Sequence, residues 1–169
     1  GDSVSARVVV QTLNEIDSLS PGILASEAEV FTKFGSVEEQ IGFAEMLESR
    51  FPMDPIALGT AGVIYLKLGD REKCGEMLVR SYALDSSNAL TALNYGVYLV
   101  GGGSHSAALQ VLKRSLELDQ GSFLAAYYLA TTYLALGDIN NAKATILRAE
   151  ANALRPEEQE RLKQLKVRL

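Results

Sequence analysis

The sequence predicts an all-α fold built from stacked helix pairs. Three observations carry this reading. Glycine returns every 34 residues, at Gly1, Gly35, Gly69, Gly103 and Gly137. A helix-capping residue follows each one: Asp2, Ser36, Asp70, Ser104 and Asp138. Apolar residues on either side recur at the spacing of one helix face. A glycine ends a helix by taking the left-handed conformation that other residues avoid. The Asp or Ser then accepts a hydrogen bond from an unpaired N–H of the next helix. One period, kept without insertion, is the mark of an array of one supersecondary unit.

In chain order, residues 1–20 form one helix after Asp2, with Ala6, Val10, Leu13 and Ile16 as its apolar stripe. Residues 21–54 begin with Pro21, suited to a helix start. Leu24, Ala28 and Phe31 line the first helix of this unit, which stops at Gly35. Ser36-Val-Glu-Glu39 is a capping box, and the second helix is expected to bury Val37, Ile41, Ala44 and Leu47 before Phe51-Pro52 ends it. Residues 55–88 repeat the plan, with Leu58, Ala61, Gly62 and Tyr65, then Cys74, Met77, Leu78, Ser81 and Leu84. Residues 89–122 follow with Ala92, Tyr95, Gly96 and Leu99, then Ala108, Leu112, Ser115 and Leu118, across a looser turn at Gly101-Gly102-Gly103. Residues 123–156 give Ala126, Leu129, Ala130 and Tyr133, then Ala142, Ile146 and Ala149. The tail, 157–169, is rich in charge, with Leu162, Leu165 and Leu169 on one side, and is expected to be a capping helix. Glu157 and Glu158 open it and Lys166 and Arg168 close it, as the helix dipole favours.

Composition narrows the function classes. A net charge of −5 argues against a nucleic-acid backbone as partner, which needs a clustered basic face. No apolar stretch is long enough to insert in a membrane. Cys74 is the one cysteine and His105 the one histidine, which leaves no internal disulfide and no Cys-based metal site. Cys74 falls at a small packing position and reads as inert core, and His105 as an exposed residue beside a turn. Glu38-Glu39 and Glu157-Glu158 open helices, where capping explains them better than catalysis. Gly101-Gly102-Gly103 has no following Lys-Ser/Thr, so it is not a phosphate loop. No catalytic residue, cofactor or metal is expected.

Superposing the copies shows what the period encodes. Small residues stand at Ala28, Gly62, Gly96 and Ala130, and large ones three further on at Phe31, Tyr65, Leu99 and Tyr133. Small residues return at Cys74, Ala108 and Ala142, with Gln40 the exception, and Ala44, Leu78, Leu112 and Ile146 follow. Small side chains let two antiparallel helices approach, and large ones fill the gap to the next pair. This pattern resembles the tetratricopeptide repeat (TPR) family, with four repeats at 21–54, 55–88, 89–122 and 123–156, and residues 1–20 as the second helix of a truncated one. The resemblance implies a right-handed superhelical solenoid with a C-terminal capping helix. Its frame suggests a piece of a longer protein whose uncovered N-terminal end permits self-association.

The resemblance also implies a non-catalytic scaffold that binds a partner peptide or helix in a concave groove lined by the first helix of each repeat. By register the C-terminal part of that groove is apolar and aromatic, and the expected partner-binding residues are Leu93, Asn94, Val97, Tyr127, Tyr128 and Thr131. Some members grip acidic C-termini of heat-shock chaperones with a basic clamp. The matching positions here are Gly59, Val63, Asn94, Leu124 and Tyr128, of which only Asn94 fits. Two other readings stay open: a secretion or assembly chaperone shielding an apolar client segment, and the docking array of a larger enzyme.

Overall fold

The computed structural model describes residues 35–169 together with Thr32 and Lys33. The expectations for residues 1–20, for Leu24, Ala28 and Phe31, and for self-association through the N-terminal end lie outside the described residues. Among the described residues the fold is all-α, with eight helices and no strand. They are α1 (Val37–Arg50), α2 (Pro55–Leu68), α3 (Arg71–Leu84), α4 (Ala89–Gly101), α5 (His105–Leu118), α6 (Phe123–Ala135), α7 (Ile139–Asn152) and α8 (Pro156–Lys166). The chain divides into two compact units, Gly1–Asp85 and Ser86–Leu169.

In the first unit α1 opens with the expected capping box. Glu39 N donates to Ser36 Oγ at 3.2 Å, and Ser36 N donates to Glu39 Oε2 at 2.8 Å. Phe43, Ala44 and Leu47 are buried. Val37, expected in the core, is 54% exposed. It is the first helical residue, and Phe43, Ala44 and Leu47 make the buried face of α1. Gln40 is accommodated at a small position because its amide donates to the Gly35 carbonyl at 3.0 Å. Asp54 caps α2 through Ile56 N and Ala57 N, at 2.9 and 2.8 Å, with Pro55 at the first helical position. Gly69, at φ 81°, stops α2, and Asp70 caps α3 through Lys73 N.

Helices α2 and α3 run antiparallel. Ser81 Oγ donates to the Pro55 carbonyl at 2.6 Å, Gly62 lies on Leu78, and Lys73 Nζ sits 5.0 Å from the Tyr65 ring centre. A Cβ on Gly62 would stand 2.7 Å from Leu78 Cγ, so the close approach requires glycine. Leu84, expected to line α3, is 39% exposed because it ends the helix beyond this contact.

The second unit repeats these devices. Ser115 Oγ donates to the Ala89 carbonyl at 2.9 Å, and Gly96 lies on Leu112, where a Cβ would meet Leu112 Cδ2 at 2.6 Å. The triple glycine is no looser in effect. Helix α4 runs into Gly101, Gly102 has φ −90°, and Gly103 alone turns left-handed, at φ 75°. Asn88, Ser122 and Asp138 cap α4, α6 and α7 with their side chains. Ser104, the expected cap of α5, makes no such bond. Serine caps elsewhere in the chain, at Ser36 and Ser122, from the extended backbone usual for a cap, at ψ 165° and 108°, whereas Ser104 stands at ψ 55°. His105 is half-buried rather than exposed, and its Nδ1 is shielded without a hydrogen-bond partner.

The core of this unit joins Leu112, Leu116, Phe123, Leu129, Tyr133 and Ile146 to Leu162 and Leu165 of α8. Helix α8 packs on α7 and α6, as expected of a cap. Leu169 lies beyond it and is 43% exposed, so the apolar stripe of the tail ends at Leu165.

Candidate functional site

All six residues singled out for partner binding fall within the second unit, on α4 and α6. These two helices pack on one another. Each starts from a side-chain cap. Asn88 Oδ1 accepts from Leu90 N and Thr91 N at 2.9 and 3.1 Å, and Ser122 Oγ accepts from Ala125 N at 3.2 Å. Neither helix carries an Asp, Glu, Lys or Arg. Both are therefore apolar almost all round, and burial of one face leaves further apolar surface on the others.

The inward faces bury Thr91, Ala92, Leu93 and Gly96 on α4, and Ala125, Ala126, Leu129, Ala130, Thr132 and Tyr133 on α6. Asn94, Val97, Tyr127, Tyr128 and Thr131 are half-buried. Val97, Tyr127 and Tyr128 rest against the core and keep part of their surface open. Leu93 differs from the expectation. It is 7% exposed and belongs to the core, so it forms the floor beneath this face instead of an open contact.

The aromatic rings pack on one another. Tyr127 meets Tyr128 edge-on, at 5.3 Å between centres and 85° between planes, and stacks on Phe123 at 5.9 Å. Both arrangements are ones that aromatic pairs prefer. Thr131 Oγ1 donates back to the Tyr127 carbonyl at 2.9 Å, so its hydroxyl is taken up within its own helix. The Asn94 side chain has no hydrogen-bond partner among the described residues. Its amide offers both a donor and an acceptor to a peptide backbone.

Cys74 is buried, and burial pushes its thiol up to about 11. At that value it stays protonated and unreactive near neutral pH. Among the described residues no group of His, Cys, Asp and Glu could hold a metal ion. None of the described helices is long and apolar enough to cross a membrane. Sequence reasoning missed the pairing of Lys73 with Tyr65 and of Lys113 with Tyr133, each ammonium lying over a ring at 5.0 and 5.6 Å. The 34-residue period carries no direct sign of either, because the two lysines stand at different repeat positions.

Residues 99–169 match the family model described as tetratricopeptide repeat. Over this stretch the sequence is similar to the tetratricopeptide repeat family. The fold is similar to that of solved TPR structures. A thermophilic TPR protein of Thermus thermophilus is 20% identical with a TM-score of 0.76, covering 98% of this chain and 91% of its own. YrrB, a TPR protein with an unusual peptide-binding site, is 16% identical with a TM-score of 0.66, covering 96% and 90%. The first TPR of Spaghetti (RPAP3), bound to an HSP90 peptide, is 16% identical with a TM-score of 0.59, covering 68% and 94%. No curated protein matches the sequence.

Proposed function

We propose that this chain is a non-catalytic TPR scaffold that docks an apolar segment of a partner protein on the α4–α6 face. The observation that carries the reading is the character of that face. It is uncharged, its tyrosines meet edge-on, and Asn94 keeps a free amide among them. Aromatic anchors around one backbone-binding amide suit an extended peptide or one face of a helix. Leu93 supports the floor, and Asn94, Val97, Tyr127, Tyr128 and Thr131 make the contacts. The position of Asn94 fits a clamp for acidic C-termini, but Val97, Leu124 and Tyr128 around it supply no cation.

The test is selection of peptides from a displayed random library on the wild-type chain, followed by anisotropy with the selected peptides. The reading expects peptides rich in aromatic and aliphatic residues. It expects Val97→Glu to abolish binding and Asn94→Ala to weaken it about tenfold, the order of a hydrogen bond lost in a sheltered site. Unchanged binding by Val97→Glu, with unchanged helical content, would place the site elsewhere.

A further inference from the structure

A pocket of about 330 Å³ opens beside the docking face, where the start of α4 meets the end of α5 and the loop into α6. Ala89, Leu90 and Leu93 form its apolar wall, and Ser115, Asp119 and Ser122 its polar one. Leu93 is shared with the floor of the docking face, so the two are continuous. Leu90 is 47% exposed at the mouth.

The polar groups differ in what they have left to offer. The Ser115 hydroxyl is committed to the Ala89 carbonyl, and Ser122 Oγ to Ala125 N. Asn88, also on the rim, spends its Oδ1 on Leu90 N and Thr91 N. Asp119 spends one carboxylate oxygen on Gly121 N at 3.0 Å. Its second oxygen accepts no hydrogen bond from a described residue, and Asp119 forms no ion pair among them. Arg148, on α7, is turned to the Gln120 carbonyl at 3.5 Å. Among the described residues Asp119 is thus the one formal charge lining the pocket. It also caps the C-terminus of α5, where the helix dipole adds to the negative potential.

We infer that this pocket receives a lysine or arginine side chain of the docked segment, its aliphatic stem on Leu90 and Leu93 and its cation on Asp119. The inference rests on the docking reading above and adds a charge requirement to it. Long cationic side chains bury an apolar stem and keep the charged head at a polar rim, which is the layout of this pocket. An acidic segment would bring like charges together here, so the pocket selects against one.

The test uses the full chain and the same displayed random library. Wild type is expected to enrich peptides with one Lys or Arg at a fixed offset from the aromatic anchor. Asp119→Asn keeps the side-chain oxygen that holds Gly121 N, so the loop survives while the charge is lost. It is expected to bind a selected peptide about fivefold more weakly, the order of an ion pair at a partly exposed rim, and to lose the salt dependence of binding. The same peptide with its Lys or Arg replaced by Leu is expected to bind wild type and Asp119→Asn alike. Enriched peptides that fail on Val97→Glu but show no cation preference would overturn the pocket and leave the docking face standing. A library that yields no binder to wild type would overturn both.

Discussion

Gly62 and Gly96 sit where a methyl group has no room. On Gly96 it would stand 2.6 Å from Leu112 Cδ2. Overpacking costs about 1–3 kcal/mol, and the better helix propensity of alanine returns about 1. Gly96→Ala is therefore expected to lower stability by about 1 kcal/mol in urea unfolding. Gly42, on α1, meets nothing within 4 Å. Gly42→Ala is expected to raise stability by a similar amount, about 1 kcal/mol. Ser104 offers a second residue-scale test. Asp70 and Asp138 cap the equivalent helices at ψ 87° and 77°, and Ser104, at ψ 55°, does not. Ser104→Asp is expected to stabilise α5 by about 0.5–1 kcal/mol and raise the melting temperature.

Helix α8 docks through Leu162 and Leu165 and is capped at its start by a buried carboxylate. Glu158, 6% exposed, accepts from Leu154 N and Arg155 N at 3.0 and 3.1 Å, and from Arg155 Nε and Nη2 at 2.9 and 2.5 Å. The Arg155 guanidinium, more than the backbone bonds, holds this carboxyl below its ordinary value of 4.5, against the opposing effect of burial. A folded value below the unfolded one means the stabilisation is complete above 4.5 and is lost as the pH falls through the folded value. The melting-temperature gap between wild type and Glu158→Gln is expected to be widest near neutral pH and to shrink below 4.5. A gap that stays constant with pH would contradict a role for the ionised Glu158 carboxylate in capping α8.

At the scale of the whole molecule, the 34-residue period was the legible part of the sequence, because each turn depends on one backbone conformation. Gly69, Gly103 and Gly137 all take it, at φ 81°, 75° and 76°. The packing positions were legible for the same reason, since Cys74, Ala108 and Ala142 lie at 0% exposure. What escaped the pattern lies where local geometry decides. Ser104 leaves the extended backbone of a cap, Val37 is exposed at the start of α1, and His105 is half-buried with its Nδ1 shielded. Leu93 shows the limit for the site itself. Its register suggested an open contact, but it is 7% exposed and packs into a core shared with α6, and no single repeat encodes that. The Asp119 pocket was illegible because it joins three stretches of chain, at residues 88–93, 115–119 and 122.

The central claim is that the α4–α6 face holds the partner segment. It is tested most directly by a photo-crosslinking amino acid placed at Tyr128, on that face, and separately at Leu147, which is 67% exposed on α7. Each labelled chain is irradiated with a library-selected peptide, and the adducts are mapped by mass spectrometry. The account predicts a peptide adduct from position 128 and none from position 147. An adduct from position 147 with none from position 128 would contradict it.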